Sequence, residues 1–183
     1  MAKESKQESL VFFNKKSNYQ FSENLKPQVE KKIESWDEYF TMSNYLKKHF
    51  LHISPALSLE MSKELADLSK AMNDSLKIKE LNNKGMFARL NVFYSEALRL
   101  QDMSIISSIE AAEVAEQVEK VVSIYNSINL KINSIYLQKS FDDNVNFDES
   151  FFEFNEDAEK PYSIPKKSRK KRSIQNGSPS FRK

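Results

Sequence analysis

Between Met86 and Ile135 one pattern repeats without a break. Apolar or small residues return at alternating steps of four and three, through Met86, Leu90, Phe93, Ala97, Leu100, Ser104, Ser107, Ala111, Val114, Val118, Val121, Tyr125, Ile128, Ile132 and Ile135. Such steps keep side chains on one stripe of an α-helix, and seven heptads of them describe a helix that seals an apolar seam against another helix. Neither proline nor glycine occurs from 86 to 140. The spacing therefore predicts a single helix on the order of 75 to 80 Å long, more than a small domain can cover.

Two uses of the stripe are open. It can be the internal core of a three-helix bundle, or an intermolecular coiled-coil seam, and the two can coexist. The middle of the seam is small at Ser104, Ser107 and Ala111, and beside it Met103, Ile105, Ile106 and Ile109 shift apolar surface to a neighbouring face. Beyond this pinch, Val114, Val118, Val121, Tyr125, Ile128, Ile132 and Ile135 form the cleaner heptads and are mostly β-branched. These seven are the candidate partner-binding residues, in a homo- or hetero-oligomer. On that reading Val121→Asp or Ile128→Asp buries a lone charge in the seam and removes partner binding while the preceding helices stay folded.

Two shorter helices precede the long one. Pro27 suits a first helical turn, where its missing N–H has no intrahelical partner, and Val29, Ile33, Trp36, Phe40, Leu46 and Phe50 follow at helical spacing. This predicts a helix over 27–52 with Trp36 in its core stripe. Ser54-Pro55 is a cap followed by a first-turn proline, opening a second helix through Leu57, Met61, Leu65, Leu68 and Met72. Gly85 reads as its C-cap. Residues 1–26 are polar around the short apolar island Leu10–Phe13 and read as a flexible arm. The expected fold is all-α: two medium helices packed on one long heptad-patterned helix across 27–140, with a disordered N-terminal arm and C-terminal tail.

Composition narrows function by exclusion. Only two glycines, Gly85 and Gly177, are present, so tight hairpins and phosphate-cradling loops lack the residue they need. The absence of cysteine excludes disulfides, thiolate nucleophiles and cysteine-based zinc sites. His49 and His52 have no evident third ligand, and the many serines include none in a nucleophile-elbow setting. Glu110, Glu113, Glu116 and Glu119 lie off the seam and read as a solvated face. The residues imply no enzyme, no metal and no cofactor. No run approaches the roughly 18 apolar residues of a membrane span, and the expected location is intracellular.

The end of the chain changes character twice. From Phe141 to Glu159 there are eight acidic residues and no basic one. Phe147, Phe151, Phe152 and Phe154 are interleaved among them, an acidic-aromatic pattern suited to docking in a basic-rimmed apolar groove of a partner. Folding back over the chain's own bundle is the alternative. From Lys160 to Lys183 there are nine basic residues and no acidic one, including the cluster Lys166, Lys167, Arg169, Lys170, Lys171 and Arg172 after Pro165. That cluster resembles a monopartite nuclear-import signal, which an import receptor reads through acidic pockets. Non-specific nucleic-acid contact and anionic lipid are its competing readings. The import reading favours the nucleus, with the cytoplasm as alternative.

Two helices followed by a long apolar-striped one, over roughly 27–138, is also an order similar to that of helical domains in the BAR superfamily. The resemblance implies a dimeric, membrane-associated scaffold. The first two helices are short for that family, and the exposed face of the long one is acidic. The leading expectation is a non-enzymatic helical adaptor of a multi-protein assembly.

Overall fold

A computed structural model describes residues 11–144. All of them belong to one compact unit that ends before Phe147. In chain order the elements are β1 (Ser17–Asn18), α1 (Pro27–Glu30), α2 (Asp37–His49), β2 (His52–Ile53), α3 (Pro55–Glu60), α4 (Ser62–Asp74), a 3₁₀ turn (Lys79–Leu81), α5 (Lys84–Met103) and α6 (Ala111–Asn144). The unit is mostly helical, as the sequence indicates. The expected single long helix is instead two.

The heptad stripe folds back on itself. α5 and α6 pack antiparallel around the loop 104–110, with Gln117 Nε2 donating to the Glu96 carbonyl at 2.9 Å and the Phe93 and Tyr125 rings 6.1 Å apart. Seam residues equally far from the turn thus face one another. Met86, Leu90, Phe93, Ala97 and Leu100 of α5, and Val114, Val118, Val121, Tyr125, Ile128 and Ile132 of α6, are all fully buried. The break falls at the small middle of the seam, where serines and β-branched isoleucines together disfavour helix by roughly 3 kcal/mol relative to alanine. Burying one large seam side chain contributes about 1.5–3 kcal/mol, so reversal, which covers both halves, outweighs a continuous rod. The new helix start is closed locally, with the Glu110 N–H donating to Glu113 Oε2 at 3.1 Å.

This reversal overturns the rod, and with it the long third helix on which the resemblance to BAR domains rested. The other boundaries shift for local reasons. Ser54 caps α3, its Oγ accepting from the Leu57 N–H, and Pro55 occupies the first turn. The expected second helix breaks at Met61 into α3 and α4. The Met61 carbonyl accepts both the helical Leu65 N–H and the Tyr45 hydroxyl, each at 3.1 Å, and Ser62 Oγ donates back to the Leu59 carbonyl, a local bond that competes with the helical ladder. Gly85 is not a C-cap. It lies in the first turn of α5, because Asn83 accepts from the Met86 N–H at 3.0 Å and caps that helix.

The expected first helix likewise divides into α1 and α2. Asp37 and Glu38 open α2, where carboxylates complement the helix dipole. Trp36, buried as expected, sits at the junction and donates its indole N–H to Ser75 Oγ at 3.0 Å.

The arm is a second correction. From Val11 onward it belongs to the fold: β1 pairs antiparallel with β2 in the register Ser17↔Ile53 and Asn18↔His52, and Tyr19 and Leu25 are buried. Residues 1–10 lie outside the described part.

Candidate interaction surface

The arm is held along α6 by a row of amides. Asn126, Asn129 and Asn133 recur at steps of three and four and so share one helix face. Asn126 Nδ2 donates to the Gln20 carbonyl at 2.9 Å, and its Oδ1 accepts from the Glu23 N–H at 3.4 Å. Asn129 Nδ2 donates to the Glu23 carbonyl at 2.7 Å while its Oδ1 accepts from the buried Tyr39 hydroxyl at 2.7 Å. Asn133 Nδ2 donates to the Asn24 carbonyl at 2.8 Å, and its Oδ1 accepts from the Lys26 N–H at 3.1 Å. Residues 20–26 belong to neither helix nor strand, so the asparagines supply the partners a sheet would otherwise give. Phe21 meets Tyr125 edge-on, 6.0 Å between centroids.

Tyrosines close this network as donors. Burial pushes the Tyr39 hydroxyl well above its ordinary pKa, with Tyr125 and Glu30 adding to the shift. Burial and then Glu119 raise Tyr19, against a smaller opposing effect of Ser17. The Tyr19 hydroxyl donates to the Ala115 carbonyl at 3.4 Å, anchoring the arm near the start of α6.

Past that anchor the arm leaves α6 and a groove opens. It has a volume of about 510 Å³ and is walled by Phe12, Phe13, Pro55 and Ile109 over a floor of Ala111, Ala112 and Ala115. The three alanines lie on one face of the first turns of α6, and their small side chains let another chain approach closely. Lys15, Ser17 and Glu110 are its polar lining. Apolar surface continues around the turn, where Ile109 is half-buried, Phe12 is 61% exposed, Ile106 47% and Ile105 84%. The rim is divided in charge. Lys15 is exposed on the arm side, and Glu110 at the start of α6. Glu116 pairs with Lys120 at 2.7 Å, and that hydrogen bond holds its carboxyl below the usual range.

The structure does not bring the sequence-derived seam residues to this surface. Val114, Val118, Val121, Tyr125, Ile128 and Ile132 are enclosed by the chain's own helices, and Ile135 is partly buried against the same core. Phe147, Phe151, Phe152 and Phe154, and the basic residues Lys166, Lys167, Arg169, Lys170, Lys171 and Arg172, lie outside the described residues. His49 packs on the Tyr45 ring at 5.0 Å, and His52 pairs through Nδ1 with Asn18 Oδ1. No group of three or more His, Cys, Asp or Glu is placed to hold a metal among the described residues, and no helix among them is long and apolar enough to cross a membrane.

The apolar residues of the turn stood out in the sequence as surface displaced from the seam, and Phe12 and Phe13 as an island. The asparagine row went unread. Its signal was there: Asn is unfavourable inside helices, and three on one face beside the seam ask for partners. No protein-family model, curated protein or solved structure matches this chain.

Proposed function

We propose that the chain is a non-enzymatic helical adaptor that docks an amphipathic helix of a partner protein in the groove at the α5–α6 turn. The observation that carries this reading is the apolar surface running from Phe12 through Ile109 to Ile105 and Ile106 beside the alanine floor. Scattered apolar residues on a surface need no explanation, but a contiguous patch around a concave site is the usual mark of a docking surface. A guest helix laying its apolar face on Ala112 and Ile109 would meet the Glu110 carboxylate at the start of α6 and Lys15 on the arm. The divided rim suits a helix with basic residues on one flank and acidic residues on the other.

The test uses the full chain. A partner recovered by co-purification is produced alone and the complex rebuilt from the two pure proteins. Ala112→Arg and Ile106→Glu each weaken it by roughly tenfold or more, about 1.4 kcal/mol, while Val92→Glu, on an exposed face of α5, leaves it unchanged. A rebuilt complex indifferent to both groove substitutions contradicts the proposal. The acidic-aromatic segment, through Phe147, Phe151, Phe152 and Phe154, is proposed as a separate docking motif, and the cluster 166–172 as an import signal. Changing its six basic residues to alanine in a reporter-tagged full chain should abolish nuclear accumulation, and unaltered distribution would remove the import role. The abrupt sign reversal at Lys160 also supports a second reading, phosphate contact with nucleic acid. That binding must weaken steeply with salt and vanish when 160–183 are deleted.

A further inference from the structure

α6 outlasts its neighbour. α5 begins beside Lys131, where a Cβ built on Gly85 would stand 3.6 Å from Lys131 Cε. The remaining 20 Å or so of α6 is flanked instead by α1 and the 3₁₀ turn. Between α1 and this last third of α6 lies a second groove, of about 160 Å³, floored by Val29, Tyr136 and Leu137. A space of this order admits one benzene-sized ring.

Its charge is one-sided. Lys26 and Lys32 are the only charged residues lining it among the described residues. Both are exposed, and neither joins an ion pair among the described residues. Lys32 Nζ stands 5.5 Å from the Tyr136 ring centroid, so cation–π attraction holds one ammonium over the aromatic floor. Leu137 also belongs to an outward stripe on α6, Leu130, Ser134, Leu137 and Phe141, again at steps of four, three and four. Its three large members are 55%, 51% and 64% exposed. A ring-sized pocket, two cations and an adjoining apolar strip therefore share one face.

We infer that this face docks a segment of a partner protein in which an aromatic side chain is flanked by carboxylates. The ring enters between Val29 and Tyr136, the carboxylates meet Lys26 and Lys32, and the segment's neighbouring apolar residues lie on Leu137 and Phe141. Charge complementarity selects a segment of this acidic-aromatic chemistry. A basic segment would confront two cations, and a purely apolar one would desolvate both ammonium groups without a partner. The rim pairs steer encounter and set specificity, while the apolar contacts supply most of the affinity. This face is at the other end of α6 from the groove at the turn, so the inference goes beyond the proposed function and does not depend on it.

The experiment titrates the full chain into a fluorescent peptide of about twelve residues carrying a central Trp flanked by Asp and Glu, read by anisotropy. Saturable binding is expected, weakening severalfold when salt rises from about 50 to about 200 mM. Lys26→Glu with Lys32→Glu, and separately Leu137→Arg, should each lower affinity by roughly tenfold, with circular dichroism unchanged because all three positions are exposed. Lys26→Gln with Lys32→Gln repeats the test without reversed charge. Ala112→Arg, at the other groove, should have no effect. Absence of saturable binding both by this chain and by one in which Phe147, Phe151, Phe152 and Phe154 are changed to alanine, so that its own acidic-aromatic segment does not compete, overturns the inference, as does binding that survives the double lysine substitutions. So does concentration-dependent dimerisation that Leu137→Arg abolishes, since a second copy would then own the face.

Discussion

Two stripes of α6 hold the molecule by opposite means. On one, Val114 to Ile132 meet Met86 to Leu100 of α5 through apolar contact. On the other, Asn126, Asn129 and Asn133 grip the main chain of residues 20–26 through amide hydrogen bonds. Apolar contact is strong but undirected, and an apolar stripe accepts any helix of matching spacing, from its own chain or another. From the arm, the amide row accepts only main-chain N–H and C=O groups at hydrogen-bond distance. Stability thus resides mainly on the first stripe, and the choice of what lies beside α6 on the second.

The sharpest way to break that division is to charge the apolar stripe. Ile128→Asp or Val121→Asp places a carboxylate at a fully enclosed position within the apolar core. The expected loss is about 4 kcal/mol or more, a large part of the roughly 5–15 kcal/mol a domain possesses. Chemical denaturation of the full chain should show the variant largely unfolded. A folded variant that had lost only a partner would restore the intermolecular seam and contradict the hairpin.

The hairpin also shows what was legible in the sequence. Every fully buried seam residue from Met86 to Ile132 was visible by spacing, because burial follows helical period wherever the chain is helical. The direction of the chain was not visible, because a stripe of constant period reads the same through a reversal. Ser104 to Ile109 carried the evidence as poor helix formers, yet without proline or glycine to mark the stop. The groove at the turn was legible only as misplaced isoleucines, and its other wall, Phe12 and Phe13, comes from an arm whose anchoring depends on asparagine contacts spanning about a hundred positions in sequence, as from Gln20 to Asn126. Such bonds leave no local pattern.

Alkaline pH tests the polar stripe next. The hydroxyls of Tyr19, Tyr39 and Tyr45 have pKa values above the ordinary 10.0, burial being the largest cause in each. In the folded chain they keep their protons at a pH where an unfolded chain loses them. Their contribution is therefore complete below pH 10 and declines as pH rises past it. The thermal midpoint of the full chain should be level from about pH 7 to 9 and fall above about pH 10. Tyr39→Phe should be less stable at neutral pH but lose less on alkalinisation. Equal slopes in both proteins would mean that Tyr39 does not carry the effect.

A smaller and more local loss is expected from the clamp itself. Asn129→Ala strips the Tyr39 hydroxyl and the Glu23 carbonyl of one partner each, and Asn129 is almost fully buried. Denaturant titration should show a loss of about 2–3 kcal/mol. Asn126→Ala, at a half-exposed position where water can replace the amide, should lose about 0.5–1 kcal/mol. Limited proteolysis should then cut within residues 20–26 in the Asn129 variant while the α5–α6 hairpin resists. Similar losses at the two positions would show that the row acts as ordinary surface polarity, and the contrast between the stripes would fail.

Gly85→Ala sharpens the comparison from the apolar side, in the opposite direction. Glycine here has no positive φ to require it, and its place in the first turn of α5 follows from the Asn83 cap. A Cβ would stand 3.4 Å from Asn83 Oδ1 and 3.6 Å from Lys131 Cε, ordinary contacts that need no rearrangement. Alanine should therefore restrict the unfolded chain and favour the helix, raising stability by about 0.5 kcal/mol. The gain is below the full helix-interior value because the position is in the first turn. A loss instead would mean that the added methyl disturbs the cap or crowds Lys131, and that the close approach of the α5 start to α6 tolerates no side chain at this point.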